Sequence, residues 1–398
     1  MLLQKDPQPI RSGEEHKKEM PGPLAKPYPF VKKILPSKAI VALVLLILIE
    51  CVIFRTSLYR EWLKPNSFAG MLMLRCRLAT TEKLHASKIV AVVGDSRVRE
   101  GFSPKDFDLL ASSSGLKALN LGVSGSTPRV WHYLLKYLDP HCNAFSSIVI
   151  ALPSYADEDY GLAMSTNKQD NRLLLPILTL VDIAEFVQSF PNQSDRQDIF
   201  LSSILKFYGY RHDIQDFLSH PLKRLDECKF FREKWPESEY AYTGRDSSLA
   251  GIGIRRNEIF GLPERMNSTE RDRLHIYIFP PPRQAARLPD EYFAKWLGLL
   301  VSRYKNSNTK IIFIRMPTLP LPVQTNNPST ILTMNLLSKE HHVIVDPADS
   351  FRSLEKPQFF YDDVHLNMVA RHIFSKELTR KVVYYLNSKR ARSMPPFS

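Results

Sequence analysis

The sequence predicts an α/β fold: a parallel sheet with helices on both faces, carrying a long insertion and preceded by a transmembrane helix. Three observations carry that expectation. Short apolar runs alternate with helix-like stretches from residue 88 to 155, the alternation resumes after about 285, and a nearly uncharged apolar run occupies 39–54. With 398 residues, 44% of them apolar, the chain can bury a large core, which excludes a disordered protein.

Taken in order, residues 1–38 are rich in Pro and Lys and poor in aliphatics, and read as a disordered basic tail. The run "AIVALVLLILIECVIF" at 39–54 holds Glu50 as its only charge, with Lys32, Lys33 and Lys38 before it and Arg55 and Arg60 behind. At about 1.5 Å per residue it falls slightly short of a bilayer core. Adding "RTSLY", with Arg55 snorkelling, brings 39–59 to the roughly 20 residues a span needs. Tyr28, Phe30, Tyr59 and Trp62 suit interfacial anchors. Four Lys in 24–38 against three Lys or Arg in 55–69 do not fix an orientation. Residues 60–87 read as a linker or stem.

"KIVAVVGDS" (88–96) is then a strand and turn, and "SPKDFDLLASSS" a helix with Ser103 as N-cap. "KALNLGVSGST" (117–127) is a second strand with a glycine turn, "TPRVWHYLLKYLDP" an amphipathic helix, and "SSIVIALPSY" (146–155) a third, buried-type strand. Residues of about 156–285 interrupt the pattern and read as an insertion or lid. Its run "LLLPILTLV" suits core packing, or else a membrane or partner surface. Afterwards "PDEYFAKWLGLLVSRYK" is a helix, "TKIIFIRMP" (309–317) a strand, "PSTILTMNLLSKE" a helix, "HHVIVDPAD" (341–349) a strand, and "NMVARHIFSKELTRKVVYYLNS" the closing helix. Residues 88–390 thus form one domain with an insertion, followed by a tail at 391–398.

The net charge of +13 and pI near 9.4 suit an acidic surface or polymer. Lysines and arginines are spread along the chain without a helix-turn-helix, zinc-finger or aromatic-basic motif, so no nucleic acid is expected. The four cysteines, at 51, 76, 142 and 228, lack metal-ligand or disulfide spacing and suit small apolar packing. No metal or other cofactor is expected.

The chemistry concentrates where strands end. In an open parallel sheet the functional crevice lies at the carboxyl ends of the strands, and Ser96 falls just past the first one. It is not a G-x-S-x-G elbow, because Val98 stands two residues on. A serine hydroxyl needs a base, and His365 in "FFYDDVHLNMVARHIF" is the best of the eleven histidines. Asp362, three residues earlier, can reach Nδ1 and leave Nε2 facing outward, with Asp363 as the alternative. His341, His342 and His372 have no carboxylate at comparable spacing and read as structural. Arg97 could hold an anionic group of a substrate or clamp the turn onto Asp95. Arg315, ending the strand "IIFIRMP", should also open on the crevice.

These residues resemble the SGNH, or GDSL-type, hydrolase superfamily. "GDS" at 94–96 is similar to its first block, "NLGVSGST" at 120–127 to its second, and "DDVH" at 362–365 to its closing D-x-x-H block; they come in the family's order across 88–390, the insertion aside. The resemblance implies a three-layer α/β/α, flavodoxin-like fold and a triad of Ser96 as nucleophile, His365 as base and Asp362 as orienting carboxylate. It implies an oxyanion hole made by the N–H groups of Ser96 and a second-block glycine, Gly122 or alternatively Gly125. The family's third block usually adds an asparagine. Here "IVIALPSYADEDY" ends in Pro153, Ser154 and Tyr155, leaving Ser154 or Asn120 as possible donors.

By the same resemblance, an anchored enzyme of this type acts outside the cytoplasm as an esterase or O-acyltransferase on ester-linked acyl groups of a cell-envelope polysaccharide. A multi-spanning membrane acyltransferase is the implied partner. A catalytically weak SGNH-like partner protein and an anchored glycan-binding scaffold are the alternatives.

Overall fold

Five strands form the parallel sheet that the alternation predicts: β1 (Ile89–Gly94), β2 (Lys117–Gly122), β3 (Ser147–Leu152), β6 (Lys310–Arg315) and β7 (Val343–Val345), in the order β2-β1-β3-β6-β7. Strands β4 (Gly253–Arg255) and β5 (Glu258–Phe260) make a separate antiparallel pair in the insertion. The computed structural model describes residues 37–56, 58–83, 88–157, 166–255, 258–279, 291–320 and 331–387. The expected tails at 1–36 and 391–398, with Tyr28 and Phe30, lie outside these residues.

Helices α1 (Ser37–Ile49), α2 (Phe68–Lys83), α3 (Ser96–Gly101), α4 (Pro104–Ala111) and α5 (Pro128–Leu138) precede the insertion, and Glu291–Arg303, Leu332–Leu337 and Met368–Asn387 follow it. Every residue of β1 and β3 is buried, as near-continuous apolar strands are when both faces are covered. Ile89, Ala91 and Val93 pack with α2, α5 and Glu291–Arg303 on one face. Val90 and Val92 pack with α4 and the closing helix on the other. Ser103 caps α4 by accepting the N–H of Asp106 at 3.2 Å, as its position predicts. Because the chain leaves β1 for β2 on one side and returns to β3 on the other, the strand order reverses between β1 and β3. That switch point opens a crevice where Ser96 begins α3.

Two expectations for the amino-terminal half need correction. Leu72, Cys76 and Ala79 of α2 are buried in the main core, so most of the predicted stem belongs to the domain. The predicted span at 39–59 is also divided. Helix α1 ends at Ile49, Glu50–Phe54 winds as a π-helical turn, and no helix among the described residues is long and apolar enough to cross a membrane. The reason is the charge pair that the apolar run carried. Glu50 is buried, accepting the N–H groups of Lys206 at 2.9 Å and Phe207 at 3.0 Å and the Arg55 Nε–H at 3.1 Å, while Arg55 Nη2 donates to the Ser203 carbonyl at 2.9 Å. Phe54, Tyr59 and Leu63 are buried with Leu175 and Tyr210. Residues 48–398 form one compact unit and 1–47 another; in the latter Ile40, Val41, Leu43 and Val44 are exposed.

The insertion is mostly helical. Leu173, Leu174, Leu175, Ile177 and Leu178 of "LLLPILTLV" are buried, which is the core-packing alternative, and Leu180 and Val181 stay exposed. Cys76 and Cys228 are buried, Cys142 is half-buried, Cys51 is exposed, and none of the four forms a disulfide.

Candidate active site

The first site element is a helix cap. Asp95 is the N-cap of α3; its Oδ1 accepts the Arg97 N–H at 2.8 Å and its Oδ2 lies 3.3 Å from Arg97 Nη1. The aspartate after the glycine therefore turns the strand into the helix, and Arg97 takes its clamping alternative. Ser96, the first residue of α3, is left at the carboxyl end of β1 with its hydroxyl uncommitted to the cap.

The second element comes from the far end of the chain. A bridge between Phe360 and Leu366 closes a tight loop, in which the Tyr361 N–H donates to the His365 carbonyl at 2.8 Å. Inside it Asp362, 3% exposed, accepts the N–H groups of Val364 at 3.0 Å and His365 at 2.9 Å on Oδ1. The His365 ring spans two partners: Nδ1 lies 2.9 and 2.8 Å from the Asp362 oxygens, and Nε2 lies 2.8 Å from Ser96 Oγ. Burial by itself would raise the Asp362 pKa, but the bond to His365, its charge and the two backbone N–H groups overcome it and hold the carboxyl at about 2. The neighbouring Asp363 is raised by burial and then by the Asp362 charge, and its Oδ1 is buried without a partner. Of the two aspartates the sequence left open, Asp362 is the one that meets the imidazole.

The third element is the turn after β2. The N–H of Val123 and the hydroxyl of Ser126 both donate to the Gly94 carbonyl, at 3.0 and 3.1 Å, and the Ser126 N–H closes onto the Val123 carbonyl at 3.1 Å. Gly125 sits at the third position with φ of 71°, which a type II turn requires and glycine supplies without strain. This ties the turn to the residue two before Ser96.

Here the structure corrects two assignments. The Gly122 N–H donates to Asn120 Oδ1 at 2.9 Å and has no capacity left for an oxyanion. Its glycine is needed for close packing, because a Cβ there would stand 2.4 Å from the Arg99 backbone nitrogen. Asn120, 1% exposed, spends Nδ2 on the carbonyls of Val98, Arg99 and Phe102 at 3.1, 3.2 and 2.9 Å, bracing α3 from beneath. The Gly125 N–H carries no hydrogen bond among the described residues and is the remaining glycine donor of the second block. Ser154, just past β3, has its Oγ accepting the Ala156 N–H at 3.0 Å.

Arg315 is a further correction. It ends β6 as expected, but its guanidinium is consumed by the Ala348 carbonyl at 2.6 Å, Thr318 Oγ1 at 3.2 Å and Glu355 at 2.6 Å. It pins the 348–355 loop and does not face a substrate. His342 is buried with Nε2 3.0 Å from the Val301 carbonyl. His372 does have a carboxylate partner, Asp106 of α4 at 3.0 Å, which sequence spacing could not reveal. Glu340, His341 and His342 bring three possible metal-ligand atoms within 4.8 Å of one another, at the amino end of β7 and so at the opposite end of the sheet from Ser96.

Sequence reasoning missed what holds these pieces in place. The Leu249 N–H donates to the Phe360 carbonyl at 3.0 Å and the Met368 N–H to the Arg245 carbonyl at 2.9 Å. Arg245 and Arg265 lie 4.6 and 3.6 Å from the centroid of the Tyr361 ring. At the other end of the insertion, Asn167 Nδ2 donates to the Gly125 carbonyl at 3.3 Å, and Asp170 accepts from Thr127 Oγ1 at 2.7 Å and Arg129 Nε at 2.8 Å. The only hint in the sequence was the arginine density of "YTGRDSSLAGIGIRRNEIFGLPERMNST". The chain matches no protein-family model and no curated protein sequence.

Proposed function

We propose that this chain is a serine esterase or O-acyltransferase of SGNH type, with the flavodoxin-like three-layer variant of the α/β fold. Its substrate is an ester-linked acyl group on a cell-envelope polysaccharide. Its apolar amino-terminal segment, exposed along α1, holds it at a membrane with the catalytic domain outside the cytoplasm, beside a multi-spanning acyltransferase.

One observation carries the reading: Ser96 Oγ and His365 Nε2 are 2.8 Å apart, with Asp362 on the other ring nitrogen. In this mechanism Ser96 Oγ attacks the ester carbonyl as its proton passes to His365 Nε2. Asp362 keeps the proton of Nδ1 in place and stabilises the imidazolium that forms. The N–H groups of Ser96 and Gly125 receive the oxyanion, each such donor being worth about 3 kcal/mol of barrier. His365 then protonates the leaving alkoxide, and water or a sugar hydroxyl, deprotonated by the same imidazole, releases the acyl group from Ser96.

A second reading, a catalytically weak partner protein, is favoured by the third oxyanion donor: Asn120 is committed to α3, and Ser154 is the only polar side chain in Pro153-Ser154-Tyr155 to take its place besides the buried Tyr155. A fluorophosphonate probe and p-nitrophenyl acetate separate the two. The enzyme reading expects labelling and turnover that vanish in Ser96→Ala; an unlabelled wild type, or equal labelling of the variant, sinks it.

A further inference from the structure

A narrow slot of about 40 Å³, room for one small polar group, abuts the Val123–Ser126 turn, and nothing in the proposed acyl transfer uses it. Its walls include Met71 and Arg75 of α2, Arg99 of α3, Ser124, and Phe231 and Trp235 of the insertion. Arg99 stands three residues after Ser96, so about one helical turn, about 5 Å of rise, separates the two backbone positions on α3. Arg99 Nη1 donates to Ser124 Oγ at 3.1 Å, fixing the guanidinium against the turn that carries Gly125.

The charge around the slot does not balance. Arg75, almost wholly buried, pairs with Glu239 at 2.6 Å, and its guanidinium lies 5.1 Å from the Trp235 ring centroid. Arg99 has one ion-pair partner among the described residues, Glu100, with Nε to Oε1 at 3.9 Å. Glu100 is shared: Arg245 Nε lies 3.9 Å from it and the Tyr242 hydroxyl donates to it. Arg371, 1% exposed, gives Nη1 to the carbonyls of Arg99 and Glu100 and leaves Nε and Nη2 without partners. Arg75 and Arg99 line the slot, Arg371 and Arg245 adjoin it through Glu100, and these four guanidinium groups share two carboxylates, Glu239 and Glu100. Excess positive charge in a confined site is costly until an anion enters, and a planar guanidinium suits carboxylate or phosphate oxygens.

We propose that this slot is an anion subsite that takes the carboxylate or phosphate of an acidic saccharide, so that the ester presented to Ser96 belongs to an acidic glycan. The aromatic lining of Phe231 and Trp235, whose ring Arg75 already approaches on one side, suits the C–H edge of a sugar ring more than a lipid headgroup. The link to an ester rests on the Ser96 reading; the anion binding does not, and is measured without turnover.

The test is isothermal titration calorimetry on the full chain in detergent, carrying Ser96→Ala, with D-glucuronate, D-glucose and inorganic phosphate as probes. Glucuronate should bind at least about tenfold more tightly than glucose and more tightly than phosphate, and Arg99→Met should weaken it about tenfold while Arg99→Lys retains part of it. If Arg99→Met does not fold, the wild-type titration decides: glucuronate affinity should fall severalfold from about 20 to about 300 mM salt while glucose binding does not change. Equal binding of glucuronate and glucose, indifference to Arg99→Met in a folded variant, or affinity insensitive to salt overturns the proposal. Phosphate binding as tight as glucuronate overturns its saccharide part, as does binding confined to vesicles of phosphatidylglycerol. Glucuronate binding in a protein that fluorophosphonate does not label would reject the catalytic reading and leave the subsite standing.

Discussion

Replacing Asp362 by Asn separates the carboxylate's charge from its shape. An asparagine fits the same loop and can still accept the N–H groups of Val364 and His365 on Oδ1, but its amide would face His365 Nδ1. Donor against donor is unfavourable, so the ring turns to the tautomer that carries its proton on Nε2, where it points at Ser96 and cannot take a proton. Turnover of p-nitrophenyl acetate should fall by about 10⁴-fold, with KM little changed. Stability should change as well. The folded Asp362 titrates at about 2 against an ordinary 3.8, and at 1.36 kcal/mol per pKa unit this is about 2 kcal/mol of native-state stabilisation. Because the folded value is the lower one, that contribution is complete above pH 3.8 and disappears as pH falls toward about 2. Urea unfolding should therefore place Asp362→Asn about 2 kcal/mol below wild type at pH 7, with a gap that starts to close below about pH 4. Turnover within tenfold of wild type would refute the orienting role, and a gap that stays constant down to pH 3 would refute the charge argument.

Gly122→Ala should cost more than about 2 kcal/mol by urea unfolding, because its Cβ would stand 2.4 Å from the Arg99 backbone nitrogen and only movement of α3 relieves the clash. Gly125→Ala, strained by its φ of 71° and otherwise meeting only the movable end of the Gln169 side chain, whose Oε1 would stand 2.7 Å from the new Cβ, should cost about 1 kcal/mol and lower kcat instead; equal stability losses would contradict the division of roles between the two glycines. Glu50→Gln should lose roughly 1–3 kcal/mol and make the chain near residues 55–60 more susceptible to limited proteolysis, since it removes the charge that two backbone N–H groups and Arg55 share. An unchanged digestion pattern would show that Glu50 does not dock the segment.

The sheet was legible because both-face burial writes itself into β1 and β3 as unbroken apolar runs, and because turn residues follow each strand. The Ser96, His365 and Asp362 set was legible for a narrower reason: the aspartate and histidine lie three residues apart, so local geometry fixes their contact. The oxyanion donor of the proposed mechanism was not. Gly122 and Gly125 are both glycines at the carboxyl end of the same strand, and only the position of Asn120 Oδ1 and the path of α3 distinguish an amide that is spent from one that is free. Arg315 failed similarly, since a cation at a strand end gives no sign of whether a loop 33 to 40 residues later will return to bind it. The apolar run at 39–54 misled through Glu50 and Arg55, which read as charges a membrane must tolerate and are charges the domain takes up.

The insertion links these failures. Asn167 and Asp170 at its start hold the Gly125 turn, Arg245 and Leu249 near its end hold the loop of Asp362 and His365, and Phe231 and Trp235 wall the slot beside Arg99. The sheet positions Ser96 alone; the other two site elements are each fastened to residues between 167 and 265. A segment that reads from sequence as an insertion or lid is a frame that holds two of the three site elements. Its own packing, with Ile199, Leu249, Leu274 and Ile278 buried in the two main cores, makes hinged opening of the whole segment costly, because opening would expose those apolar side chains. On the proposed function, substrate would then enter from the mouth of the crevice at the β1 and β3 ends. In that proposed reading, specificity would rest with residues fixed by the frame, such as Arg99 and Trp235, more than with any closure over a bound ester.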